Sequence, residues 1–188
     1  MKALEYAVKA ADEVMRIVSV VDPAGLDDAA VSILGAKSVF VAGAGRSLLM
    51  LKAFAMRLMH FGLTVHVVGE TTTPAITEQD ILVTASGSGE TETVLGFAKR
   101  AVLAGAALVV LTTDANSALA AVPGHAAPGH IIVIPAGNKL GGNYRSWQPA
   151  GNSFEQSLLL VLDGIAMRVA DERNPDFTGK LLLHANLE

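Results

Sequence analysis

Two short stretches of this chain set hydroxyl groups beside glycines. Residues 43–47 read GAGRS and residues 86–91 read SGSGET. Glycine lets a backbone approach a ligand closely, and the free N–H groups of a helix start attract an anion. Ser86, Ser88 and Thr91 offer three hydroxyls to one phosphate, and the dipole of a following helix favours its charge. Gly87 and Gly89 open that turn, while Gly45, Arg46 and Ser47 supply a second set of donors. The plainer reading of Ser88 or Thr91 is a helix cap. Glu90 also has two readings, an acceptor for sugar hydroxyls or a solvated acid in a first helical turn. Two such turns in one chain favour a phosphate site.

Other chemistries find less support. Gly43 and Gly45 supply the start of a dinucleotide fingerprint and Glu70 lies near the place of its ribose-binding acid, but Leu48 occupies the third glycine position. His125 and His130 are five positions apart with no third ligand in pattern, so no metal site is expected. The chain has no cysteine, which removes disulfides, thiolate metal sites and thiol nucleophiles, and fits a reducing cytoplasm. Glu155 is a candidate base, yet Asn152 and Glu155 also have the spacing of a capping box. The two roles are compatible, since a helix start favours negative charge.

The elements that must position these groups follow from periodicity. Residues 2–20 place Leu4, Val8, Ala11, Met15 and Val18 at helical spacing, and Pro23 opens a second helix running to Gly35. Short apolar runs at 38–42, 64–68, 80–84, 107–111 and 131–134 read as strands, the first of them suited to burial on both faces. Helices are expected between them at 47–61, 91–103 and 116–122, with a long last helix over about residues 153–170. Strands alternating with helices predict an α/β fold, a three-layer doubly wound parallel sheet, whose ligands sit beyond the carboxyl ends of the strands. The polar, glycine-rich stretch 137–151 is long enough to be a functional lid or a disordered segment. Within it, Trp147 and Tyr144 read as sugar covers or, more plainly, as loop anchors.

The chain has 188 residues and a formal charge of −4, which suits one domain and argues against nucleic acid as a partner. Glu5, Lys9 and Asp12 would spoil the apolar region of a signal peptide, and no stretch is apolar enough to span a membrane. A mean hydropathy of +0.44 with only 17% charged residues predicts a homo-oligomer, because one monomer leaves apolar surface uncovered.

GAGRS, AMRLMHFGLTVHVVGE, ITEQDILVTASGSGET, QPAGNSFEQS and the terminal HANLE together resemble the sugar isomerase (SIS) domain family. Within it they are most similar to the 6-phospho-3-hexuloisomerases of the ribulose monophosphate pathway. The resemblance covers nearly the whole chain and implies one SIS domain over residues 1–188, with N-terminal helices at 1–36, an α/β core at 37–151 and C-terminal helices at 152–188. It implies a flavodoxin-like sheet, a cytoplasmic homotetramer, and cofactor-independent interconversion of hex-3-ulose 6-phosphate with fructose 6-phosphate through an enediol. Position by position, Ser47 and residues 86–91 match the phosphosugar-binding segments, and Glu155 matches the proton acceptor that opens the last long helix. His184 matches a C-terminal histidine, either a proton shuttle or a ring packed at a subunit contact. His60, at a helix end, reads as structural or, at an interface, as a group reaching a neighbouring subunit's site. Ala150 stands where the family pattern has Met. The alternatives are another SIS isomerase, acting on arabinose 5-phosphate or a heptose phosphate, and a phosphosugar-binding regulator without turnover.

Overall fold

The structure, a computed structural model, describes residues 2–122, 129–137 and 145–173. Two helices open the chain, α1 (Ala3–Val18) and α2 (Pro23–Gly35). Asp22 caps α2 by accepting from the Ala24 N–H at 3.2 Å, and Pro23 presets φ at the first helical position. There follow β1 (Val39–Gly43), α3 (Gly45–His60), β2 (Val65–Val67), β3 (Ile81–Ala85), α4 (Glu92–Leu103), β4 (Ala107–Thr112), β5 (Gly129–Val133) and α5 (Asn152–Arg173).

All five strands are parallel, in the order β2-β1-β3-β4-β5. This is the flavodoxin-like order that the family resemblance implies, with its reversal between β1 and β3. Side chains alternate across the sheet. Val39, Val41, Ile81, Val83, Val109 and Leu111 face the layer built by α2, α3 and α5. Phe40, Ala42, Leu82, Leu108 and Val110 face the other side, where α4 lays Val94, Ala98 and Ala101. Burial on both faces is why these strands are apolar at nearly every position.

Helix α5 sits inside its layer, against α1, α2 and α3. Phe154, Leu158, Leu162, Ile165 and Val169 are all buried along it. Near its end Arg168 pairs with Glu172 at 2.6 Å and reaches Asp27 of α2 at 3.7 Å. The hydrogen bond and charge of Glu172 raise the Arg168 pKa above the ordinary arginine value.

One expected element does not form. Residues 116–122 run as turns rather than as a short helix. Asp114 accepts from the Asn116 N–H at 2.8 Å, and such local side-chain bonds offer the backbone an alternative to helix. Among the described residues no helix is long and apolar enough to cross a membrane.

Candidate active site

β1 and β3 are neighbours in register, Gly43 beside Ala85, so the two glycine–hydroxyl turns leave the sheet side by side at the point where strand order reverses. The first turn runs into α3 and the second into α4. The start of α5 closes the space from a third direction. Between the three lies a cavity of about 250 Å³, a little under the roughly 300 Å³ at which small-molecule sites begin. Gly45, Arg46 and Ser47 line one wall, and Ser86, Gly87, Ser88 and Thr91 a second. Ala150, Gly151, Phe154 and Glu155 form the third.

The second turn is held by its own hydroxyls. Ser86 Oγ accepts from the Gly89 N–H at 3.1 Å and lies 2.9 Å from Thr91 Oγ1. Ser88 Oγ accepts from the Glu90 N–H at 3.2 Å. Thr91 occupies the N-cap position of α4, but its side chain makes no cap bond. The capping alternative therefore gives way to a turn whose hydroxyls are bonded to one another. The inventory of hydrogens also narrows. One of the Ser86 and Thr91 hydroxyls spends its hydrogen on the other, so two hydroxyl hydrogens, not three, are left for an anion in this geometry.

Gly89 and Glu90 stand behind the turn and are not among the cavity-lining residues. Glu90 is turned away to accept from the Ala118 N–H at 2.9 Å, and a Cβ on Gly89 would lie 2.2 Å from Ser117 Oγ. Both residues thus tie the turn to the segment after β4.

Glu155 is buried and its Oε2 accepts a hydrogen bond from Arg46 Nε, so an ion pair crosses from the third wall to the first. Arg46 remains 55% exposed at its side chain. The capping box does not form. Asn152 is already helical, and it is the Gly151 carbonyl that accepts from the N–H groups of Phe154 and Glu155. Glu155 is released from helix capping and faces the cavity with one carboxylate oxygen held by a guanidinium. Such an arrangement can bind an anion at one end and exchange a proton at the other.

Other candidates lie elsewhere. His184, His125 and Tyr144 fall outside the described residues. His130 shares a 2.7 Å hydrogen bond with Ser32, and His60 is buried at the end of α3. Glu70, the possible ribose acid, pairs with Lys52 at 2.8 Å. Trp147 stacks on Tyr6 of α1, the anchoring role rather than the cover. Among the described residues no cluster of three His, Asp or Glu is placed for a metal ion.

Sequence reasoning missed Ala150, Gly151 and Phe154. The signal was present as Pro149 and Gly151 ahead of an apolar helix, since Pro–x–Gly punctuates a turn. Ala150 has φ 50° and Gly151 φ 84°, two left-handed residues in succession. Nothing in an alanine announces that conformation. Phe154 packs over Gly87, where a Cβ would lie 3.1 Å from its ring, so the third wall fits closely against the second.

The family model of the SIS domain matches residues 32–146. A 3-hexulose-6-phosphate isomerase from Mycobacterium gastri is 44% identical over 94% of this chain and 87% of its own. One of the same name from Bacillus subtilis is 37% identical over the whole of both chains. A hypothetical protein from Methanococcus jannaschii, whose crystal structure infers a molecular function of 3-hexulose-6-phosphate isomerase, superimposes with a TM-score of 0.78. It is 29% identical and covers 98% of this chain and 99% of its own.

Proposed function

This chain belongs to the SIS domain family, as an isomerase akin to its 3-hexulose-6-phosphate isomerases, and we propose that it interconverts hex-3-ulose 6-phosphate and fructose 6-phosphate. The observation that carries the proposal is the Arg46–Glu155 pair facing two glycine–hydroxyl turns across one cavity.

The phosphate rests on residues 86–91, receiving hydrogens from Ser88 and from the Ser86–Thr91 pair, with Ser47 and the N-terminal amides of α3 opposite. The chain then runs toward Glu155. Its free oxygen removes the proton from C2 of the 3-ulose, the electrons pass into a 2,3-enediol, and the proton returns to C3 as the carbonyl forms at C2. The remaining N–H donors of Arg46 neutralise charge developing on the sugar oxygen, and the pair requires no change of redox state. His184 is assigned the transfer of a proton between the two oxygens. Gly45, Gly87 and Gly89 shape the backbone of the two turns, and Glu90 braces the second.

The protein acts as one SIS domain assembled into a homotetramer. Leu4, Val8 and Met15 of α1 and Leu160 and Met167 of α5 are at least 46% exposed, apolar side chains that a partner subunit would cover. Light scattering at four times the chain mass is expected.

The substrate is tested by supplying hex-3-ulose 6-phosphate, arabinose 5-phosphate and a heptose phosphate separately and following product by NMR. Turnover of the 3-ulose alone is expected. Turnover of another sugar in its place overturns the substrate assignment, and binding without turnover of any of them identifies a regulator.

A further inference from the structure

We infer that Gln148 and Glu13 form a latch that holds the third wall of the cavity in place, making α1 a positioning element of the reaction proposed above, on which this inference rests. Gln148 Nε2 donates to Glu13 Oε2 at 2.9 Å across 135 residues of sequence. Glu13 is 2% exposed and Gln148 8%. A carboxylate is seldom buried so deeply, and here it is buried against the segment that leads into the site. Trp147 doubles the attachment by stacking on Tyr6 with Lys9 above its ring at 4.5 Å, both from α1.

The latch has a mechanical task. Immediately after it come Pro149 and the two left-handed residues Ala150 and Gly151. An alanine resists that conformation and stays in it only where its surroundings over-determine it. The downstream side is fixed by the Asn152 N–H on the Pro149 carbonyl and by Phe154 and Glu155 on the Gly151 carbonyl. The upstream side is fixed by Gln148 on Glu13. Ala150 and Gly151 line the cavity, so releasing the latch lets this end of the wall relax away from the sugar. Glu155 itself is held by the buried packing of Phe154 and Leu158, so Ala150 and Gly151 move more than the base.

The test compares wild type with Gln148→Met, which keeps the volume and removes the donor, and Glu13→Gln, which keeps an acceptor. Gln148→Met is expected to raise KM for fructose 6-phosphate about tenfold, near 1.4 kcal/mol, with kcat within about threefold. Glu13→Gln is expected to stay within about twofold of wild type in both. An unchanged KM in folded Gln148→Met overturns the latch, as does an equal rise in Glu13→Gln. If Gln148→Met does not fold, the double exchange Glu13→Met with Gln148→Met leaves no buried polar group unpaired, still lacks the hydrogen bond, and is read in the same way. Hydrogen exchange without ligand supplies a second readout: the amides of Asn152 and Phe154 lose protection in Gln148→Met, and unaltered protection counts against the latch. A wild type that binds fructose 6-phosphate without turning it over refutes the reaction, and the latch is then judged from Kd and from exchange.

Discussion

Gly89→Ala isolates the geometry of the phosphate turn. Gly89 has φ 67°, and its missing Cβ would lie 2.2 Å from Ser117 Oγ and 2.3 Å from Ser117 Cβ, with Thr112 Oγ1 at 3.1 Å. Ser117 is 3% exposed and has little room to yield. The left-handed conformation costs an alanine about 1–2 kcal/mol. Overpacking a filled site adds about 1–3 kcal/mol. The stiffer unfolded chain returns up to about 1 kcal/mol. A net loss of about 3 kcal/mol lowers Tm by roughly 6–12 °C for a chain of this length. Because the Gly89 N–H is bonded to Ser86 Oγ, the same displacement disturbs the hydroxyls that meet phosphate, so KM rises while saturated turnover changes less. Ser117→Gly removes both clashing atoms. Combined with Gly89→Ala it is expected to recover the overpacking part, a favourable coupling of about 1–3 kcal/mol in a double-mutant cycle. Denaturant unfolding of the four proteins measures this. A Gly89→Ala protein as stable as wild type, or a coupling of zero, would refute the steric reasoning.

Two further outcomes concern the ligand. Ser86→Ala with Ser88→Ala removes the hydroxyl bonds that shape the second turn, and KM for the phosphosugar is expected to rise at least tenfold; unchanged saturation in a kinetic titration places the phosphate elsewhere. Arg46→Ala deletes a charge-assisted bond of about 1.5–3 kcal/mol, so kcat/KM falls roughly 10- to 150-fold. Arg46→Lys recovers only part of that, because an ammonium cannot reproduce the planar fork. Wild-type kcat/KM in Arg46→Ala removes the guanidinium from the mechanism.

The sheet was legible because its physics is local. A strand buried on both faces must be apolar at successive positions, and 39–42, 81–83 and 107–111 are. The two hydroxyl turns were legible for a related reason: glycines beside hydroxyls at strand ends have few purposes other than close approach of a ligand. The short helix over 116–122 was misjudged because Asp114 bonds the backbone two residues on, a local competition that apolar periodicity does not register. Asn152 and Glu155 matched a capping box in spacing alone. What decided the outcome was Arg46, 109 residues away, which draws the carboxylate across the cavity. The Glu13–Gln148 contact was invisible for the same reason. Spacing within an element reports on that element, whereas a site assembled from three chain segments depends on where the fold brings them.

The central claim is that Glu155 moves the proton of a phosphosugar seated on residues 86–91. The most direct measurement is NMR of fructose 6-phosphate in D₂O with wild type and Glu155→Gln, with binding measured beside it by calorimetry. A glutamine still accepts from Arg46, so binding is expected to survive. Wild type is expected to place deuterium at C3 and form the 3-ketose, and Glu155→Gln to slow both by about a hundred- to ten-thousand-fold. Deuterium entering at the wild-type rate in Glu155→Gln, with binding intact, would contradict the claim.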